Sequence, residues 1–493
     1  MSRKRLENLL ERLRHEPEVL REYDSVIKEQ LHRGIVEVVE KPSEGEVGKV
    51  HYIPHHAVIR RDKLTTKLRV VYDASAKSDG VALNDCLYAG PPLAEKIFDV
   101  LLRFRVNQVA LTGDIEKAFL MVGMAEEDRD VLRFLWVDDI DNPSPEIVVL
   151  RFTRVVFGVS SSPFLLNATI KHHIERYKEA DPEFIEKCLR SIYVDDLSSG
   201  APETNKDYEL YLKSKLRLAE GGFNLRKFVS NSPELMNRIQ GKESSNSRSD
   251  AGTSSKAAEP KSVQPHRAYP KRNVVSEDKT YVKSMLGTIE EKNSSDSKVL
   301  GVRWNPMKDA LIFDLTEIAN FARDLEPTKR NVVSVAAKFY DPFGFLSPVV
   351  IEFKLFFQEL CRMKIGWDDP LNDELLKMWG ELLDGLEGVT ALSLSRGYFQ
   401  GVQERVVSCS LHGFGDASSK AYAAVIYLHM TTTTGSYVKF VASKSRVACA
   451  KELSIPRLEL LAALVLARPI EHVKEALQLE LAITDITCWT DPK

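Results

Sequence analysis

The chain has no long apolar run, no paired cysteines and almost no net charge. No stretch approaches the roughly 20 apolar residues of a membrane span, and the opening Met1-Ser2-Arg3-Lys4-Arg5-Leu6-Glu7 lacks the apolar core of a signal peptide. Both absences argue against membrane insertion and secretion. The cysteines, Cys86, Cys188, Cys361, Cys409, Cys449 and Cys488, are scattered, with no CxxC pair and no histidine at metal-ligand spacing. That excludes a zinc site of ordinary spacing and a disulfide scaffold, and leaves reduced core residues of an intracellular protein as the expectation. A net charge of −3 decides nothing about nucleic acid, because global charge speaks to solubility and not to a local channel.

What is present is a chain of 493 residues at 43% hydrophobic, enough for about two to four domains with their own cores. Residues 4–40 space Leu6, Leu9, Leu10, Leu13, Leu20, Tyr23, Ile27 and Leu31 among many charges, the pattern of amphipathic helices packing on something larger. From about 46 to 240 apolar strand-like runs, such as Leu68-Arg69-Val70-Val71-Tyr72 and Ile147-Val148-Val149-Leu150-Arg151-Phe152, alternate with helical pieces near 93–105, 161–178 and 206–220; the segment reads as α+β. Between Ile59 and Val71 the cations Arg60, Arg61, Lys63, Lys67 and Arg69 face one acid, Asp62. From 241 onward a Ser-rich stretch has too little apolar content to offset its ordering entropy and is expected to be a flexible insertion. Residues 331–385 read as helical with breaks at Asp341-Pro342-Phe343-Gly344 and Ser347-Pro348, and 405–493 as a strand pair, a helix and a strand.

Chemistry concentrates in Tyr193-Val194-Asp195-Asp196 and in Leu111-Thr112-Gly113-Asp114-Ile115. Adjacent carboxylates at the tip of an apolar strand raise one another's pKa, so the pattern calls for a divalent cation to neutralise them. In-line phosphoryl transfer uses a pair of such ions to clamp the attacking and leaving oxygens.

The order of these strings resembles a reverse transcriptase, and in wording the Pao/BEL class of LTR retrotransposon Pol polyproteins. The resemblance runs from about residue 20 to 493 and rests on Lys67-Leu68-Arg69-Val70-Val71-Tyr72-Asp73-Ala74-Ser75, Gly113-Asp114-Ile115-Glu116-Lys117-Ala118-Phe119, Phe157-Gly158-Val159-Ser160-Ser161-Ser162-Pro163-Phe164, the Tyr193 to Asp196 string, Gly222-Phe223-Asn224-Leu225-Arg226-Lys227 and Tyr340-Asp341-Pro342-Phe343-Gly344-Phe345-Leu346-Ser347-Pro348. It implies an α+β right hand of fingers, palm and thumb followed by a partial ribonuclease H-like α/β domain. The implied divisions are a helical lead-in (1–45), fingers and palm (46–240), the insertion (241–298), a primer-grip region (299–324), thumb and connection helices (325–400) and the ribonuclease H-like part (405–493).

The resemblance also implies roles. Asp114 and Asp195 hold Mg²⁺, or Mn²⁺ in its place, with Asp196 a less direct neighbour, and Lys227 is the proton donor to the leaving pyrophosphate. Arg69 grips the triphosphate, with Arg61 or Lys63 as a second cationic contact, and the backbone N–H groups of Ile115 and Glu116 face the same phosphates. Phe119 lies under the sugar and rejects a 2′-hydroxyl; Phe157-Gly158 stands where many viral relatives carry Gln-Gly, which removes one hydrogen-bonding group. Leu300 and Gly301 belong to the hairpin that grips the primer. Asp416, Glu459 and Asp491 are the ribonuclease H-like metal ligands. The chain stops two residues after Asp491, so a truncated nuclease of weak or no activity is expected.

The partners implied are an RNA template, a DNA primer, RNA–DNA hybrid and deoxynucleoside triphosphates, with no membrane, in cytoplasmic virus-like particles. The rival readings are an inactive retroelement remnant that at most binds nucleic acid, and an RNA-templated RNA polymerase sharing the palm. Phe119→Ala separates the last from a reverse transcriptase: ribonucleotide incorporation in primer extension should rise, and an unchanged ratio of ribonucleotide to deoxynucleotide use would remove the sugar-gate role.

Overall fold

The computed structural model describes residues 1–40, 50–59, 68–77, 80–241, 296–387, 391–449 and 453–491. Arg61, Lys63 and residues 242–295 of the expected insertion lie outside the described residues. The chain divides into two compact units, one formed by 1–94, 115–189 and 214–225, the other by 95–114, 190–213 and 226–493.

In the first unit the lead-in forms two helices, Ser2–Arg14 and Pro17–His32. Leu6, Leu9, Leu10 and Leu13 recur at three- and four-residue steps and so fall on one buried stripe. Leu20, Tyr23 and Ile27 do the same on the second helix, which opens with Pro17 in its first turn, where no N–H partner is needed. These stripes close over the three-stranded sheet Val36–Val38, Ile147–Phe152, Arg133–Val137 and the hairpin His55–Ile59, Leu68–Tyr72. Tyr23, Tyr72, Phe134, Trp136 and Phe152 gather around His55. The one acid drawn into this packing, Asp24, accepts Trp136 Nε1 at 3.0 Å and pairs with Lys28 at 2.7 Å.

The second unit stacks three sheets around a continuous core. A four-stranded sheet runs in the order Ile192–Tyr193, Asp196–Ala201, Val109–Ile115, Leu225–Ser230. A second sheet joins Ser297–Val299, Val302–Asn305, Ala310–Asp314 and Ala391–Ser395. The third runs Ser436–Val447, Ala421–Thr432, Val406–Ala417, Ile483–Thr490, antiparallel but for its last pair. The helix Ile455–Leu477 lies on that sheet through Leu458, Ala462, Leu466, Ile470, Val473 and Leu477, the 3.6-residue stripe the sequence encodes.

Several elements differ from the reading above. The C-terminal region has three antiparallel strands before its helix, not a pair, because Ser436–Val447 alternates more weakly than its neighbours. Ser347-Pro348 starts the helix Ser347–Arg362 instead of breaking one, since proline is tolerated in a first turn. Ala391–Ser395 is a strand inside the stretch expected to be helical; its five residues are too few to stand out beside long helices. Of the cysteines expected in the core, Cys188 and Cys409 are buried, while Cys86, Cys361, Cys449 and Cys488 are exposed.

A polar knot ties the second unit together. Arg396 is fully buried, and all five of its N–H donors are used: Nε and Nη2 on the two oxygens of Asp309 at 2.6 and 2.7 Å, Nη1 on the carbonyls of Phe104 and Asn107, Nη2 also on that of Gln108. Asp309 accepts Trp304 Nε1 and Asn231 Nδ2 as well. Arg105, buried beside it, donates to the carbonyls of Arg396, Ser395, Phe440 and Val441 and lies over the ring of Tyr398. Removing one member leaves a buried charge and several carbonyls unanswered. Arg396→Ala should therefore lower stability by about 3–5 kcal/mol, read as an earlier denaturant midpoint, and Arg396→Lys should recover little because an ammonium lacks the planar fork; a midpoint unchanged in the alanine variant would show the knot to be dispensable.

Candidate active site

The strand Val109–Ile115 pairs antiparallel with Asp196–Ala201, so that Asp114 lies directly opposite Asp196. Tyr193 pairs back onto Asp196, which makes Val194-Asp195 a two-residue turn at the hairpin tip. Val194 sits there at φ 56°, a left-handed conformation that a β-branched residue adopts only under constraint. The turn thus holds Asp195 beside the facing pair Asp114 and Asp196. Burial first, then the charges of Asp195 and Asp114, push Asp196 up to about 7, with Lys227 pulling the other way.

Lys227 lies on the adjacent strand at φ 55°. Its Nζ is 3.2 Å from Asp114 Oδ2, and Arg226 Nε is 3.9 Å from the same oxygen. Among the described residues no three histidine, cysteine or acidic side chains converge tightly enough to hold a metal ion by themselves; the acids stand side by side, with the lysine as counter-charge. Carboxylates gathered at a strand end are hard oxygen donors, the ligand type that Mg²⁺ and Mn²⁺ take. Leu300 and Gly301, in the same compact unit, form the two-residue turn between Ser297–Val299 and Val302–Asn305.

The other expected nucleotide contacts lie in the first unit. Arg69 is exposed on its strand. Phe119, buried in the short helix Ala118–Met121, meets the edge of the exposed Phe157 ring at 5.5 Å. Gly158 has φ 94°, and a Cβ there would come within 2.9 Å of the Tyr72 carbonyl, so only glycine suits this close passage. Asn84 fixes the loop, donating to the Gly158 carbonyl at 3.0 Å and accepting from Ser160 N at 2.8 Å. The sequence reading missed Asn84; an asparagine facing a glycine loop from far along the chain carries no local signal. One expectation is corrected: the Glu116 N–H is donated to the Asn224 carbonyl at 2.9 Å, and the Glu116 carboxylate accepts Asn224 Nδ2. That N–H, in the turn just after the strand, is therefore not open to a triphosphate.

In the third sheet Asp416 is exposed near the end of Val406–Ala417, and Asp491 follows Thr490, whose strand runs parallel and pairs at Gly415. Both acids thus stand at the same end of the sheet. Glu459 sits in the second turn of the helix Ile455–Leu477, and its Oε2 is shut away from solvent without a hydrogen-bond partner among the described residues. A buried carboxylate oxygen left unanswered is costly, and a cation is one means of answering it.

With this geometry in view, the family described as Pao retrotransposon-like RNaseH-like domain matches residues 328–492. No curated protein matches the chain in sequence. Among solved structures, a foamy viral protease-reverse transcriptase dRH in complex with double-stranded DNA aligns at a TM-score of 0.52 and 15% identity, over 94% of this chain and 62% of that one. The foamy viral protease-reverse transcriptase with an RNA/DNA hybrid aligns at 0.50 and 14%, over 96% and 48%. Its complex with double-stranded DNA aligns at 0.51 and 14%, over 94% and 73%. At such identities the likeness shows the fold: a reverse-transcriptase fold along nearly the whole chain, carrying a Pao-type ribonuclease H-like domain. The chain spans about three fifths of the first of these structures.

If the facing acids of this strand pair hold a metal, a titration of Mn²⁺ followed by electron paramagnetic resonance should show binding that Asp114→Asn and Asp195→Asn each weaken by about tenfold or more, at least the scale of losing a supporting ligand contact. Equal binding by the wild type and both variants would place the ion elsewhere.

Proposed function

We propose that this Pao-type chain is an RNA-directed DNA polymerase that extends a primer 3′-hydroxyl with deoxynucleotides. The observation that carries the reading is the facing of Asp114 and Asp196 across one strand pair, with Asp195 at the strained turn beside them and Lys227 3.2 Å from Asp114. On a reverse-transcriptase fold, that set has the charge and the donors that phosphoryl transfer needs.

In this proposal Asp114 and Asp195 hold Mg²⁺. The bound ions would supply charge neutralisation for the attacking and leaving oxygens. Asp196 stands next to both ligands, and a bound cation would favour its ionised form. Lys227 carries a proton at Nζ and is the candidate donor to the leaving pyrophosphate. The Leu300-Gly301 turn orients the primer end, so the chain's contribution is mainly positioning and fixed electrostatics. Phe119 supplies the preference for a deoxyribose sugar. The foamy viral structures are complexes with double-stranded DNA and with an RNA/DNA hybrid, which supports the same classes of duplex as partners here. Such binding would be largely to phosphates and would weaken steeply with salt.

The ribonuclease H-like domain supports a second metal-dependent site built from Asp416, Glu459 and Asp491, with the unanswered Glu459 Oε2 as its supporting observation.

Primer extension on an RNA template with Mg²⁺ and deoxynucleotides tests the proposal. The wild type should extend, and Asp195→Asn should lose about 100-fold or more, the scale on which one electrostatic stabiliser of a transition state acts. A folded wild type that binds hybrid and adds no nucleotide would overturn the polymerase reading in favour of an inactive remnant.

A further inference from the structure

The Leu300-Gly301 turn is one that does not hold itself. Both of its residues have positive φ, 47° and 89°, as a two-residue hairpin of the primed type demands, yet one of them is a leucine, for which that backbone is strained. Something outside the hairpin has to keep it there. The side chain that meets it is Tyr340. Its hydroxyl donates to the Leu300 carbonyl at 2.7 Å. Its ring lies flush against Gly301, where a Cβ would come within 2.8 Å of Cε1. Tyr340 is nevertheless 48% exposed, so burial of the ring does not explain a tyrosine here; the hydroxyl's reach to the carbonyl does. The phenol is pushed up by burial and then by Tyr193, the residue that leads into the Val194-Asp195 turn.

The residues after Tyr340 are tied down at the opposite end. Asp341 accepts the N–H groups of Phe345 and Leu346 at 3.0 and 2.6 Å, which fixes the tight bend and starts the helix Ser347–Arg362. The Phe343 carbonyl accepts Ser443 N at 2.8 Å, and Ser443 Oγ donates to the Gly344 carbonyl at 2.6 Å. Gly344 is pressed so close that a Cβ would meet the Ser443 carbonyl at 2.0 Å. Ser443 belongs to Ser436–Val447, the edge strand of the ribonuclease H-like sheet. The bend thus closes part of an open sheet edge, which would otherwise present unpaired backbone groups. Phe343 and Leu300 share one buried core.

We propose that Tyr340 is a positioning residue for the primer end, and that the Tyr340–Gly344 segment is a strut through which the ribonuclease H-like sheet braces the Leu300-Gly301 turn. The role in primer placement rests on the polymerase reading above; the mechanical link does not. On this inference the ribonuclease H-like domain serves polymerisation as a buttress, whatever it does as a nuclease.

Two variants test it with little risk to folding, Tyr340→Phe, which removes only the hydroxyl, and Ser443→Ala, which removes only the clamp on Gly344. Hydrogen exchange of the 297–305 hairpin should rise in both relative to the wild type, while the melting temperature stays close to the wild-type value. Single-turnover nucleotide addition should fall about three- to tenfold in Tyr340→Phe, the scale of one net hydrogen bond, with the KM for deoxynucleotide unchanged, and should fall less in Ser443→Ala. Hairpin exchange equal in all three proteins overturns the strut, whether or not any of them extends a primer. Altered exchange with wild-type addition rates overturns the positioning role. Altered exchange in the variants, with the wild type and both variants all failing to extend, overturns the polymerase reading, and the positioning role with it, while leaving the brace in place.

Discussion

The buried guanidinium of Arg396 is the constraint on which the second compact unit depends. The helix Ile97–Phe104 ends in the core, and the Phe104 carbonyl would be stranded there without a donor, with the carbonyls of Asn107 and Gln108 following at its edge. Arg396 meets all three while its ion pair with Asp309 neutralises it. A lone buried charge is among the most destabilising features a protein can carry, whereas one with every donor met is tolerated. The strand that bears Asp114 starts directly after Gln108. The position of the first acid is thus set by a residue brought from the far side of the chain, in a knot that also engages Phe440 and Val441 of the ribonuclease H-like sheet through Arg105.

Backbone strain is concentrated around the acids and the knot. Of the six non-glycine residues with positive φ among the described residues, Val194 and Lys227 flank the acid cluster, Leu300 lies in the braced turn and Asp309 sits at the knot, while Lys117 and Lys364 lie elsewhere. Each such residue costs about 1–3 kcal/mol, so their clustering means that the surrounding sheets over-determine these turns. The knot and the bend at Asp341 supply that surplus.

Much of this was legible in the chain. The paired acids, Asp114 and the string from Tyr340 to Pro348 stand out because each is local: apolar residues bracket a few unusual ones, and the fold class follows from the order of such strings. The helices of the lead-in and the stripe of Ile455–Leu477 were equally legible from their period. What escaped were the long-range partners. Arg105 and Arg396 are 291 residues apart in sequence and look like any surface arginine until the carbonyls around them are known. Asn84 and Asp309 were hidden for the same reason. The Glu116 N–H was misjudged because its acceptor, the Asn224 carbonyl, comes from far along the chain, and four cysteines proved exposed because a scattered thiol has no pattern to betray its surroundings.

The ion pair between Lys227 and Asp114 has a consequence for how this protein comes into being. A cluster of acids that required a divalent ion to be tolerable would tie the folding of the palm to the ion's supply. With an ammonium already seated 3.2 Å from Asp114, part of the repulsion is relieved by the polypeptide itself, and folding of this sheet would not have to wait for an ion. On the proposed polymerase reading, the same lysine would compete for Asp114 with an incoming cation, so loading would be loose and reversible. Such a site would take up its ions together with each nucleotide and would not store them between turnovers.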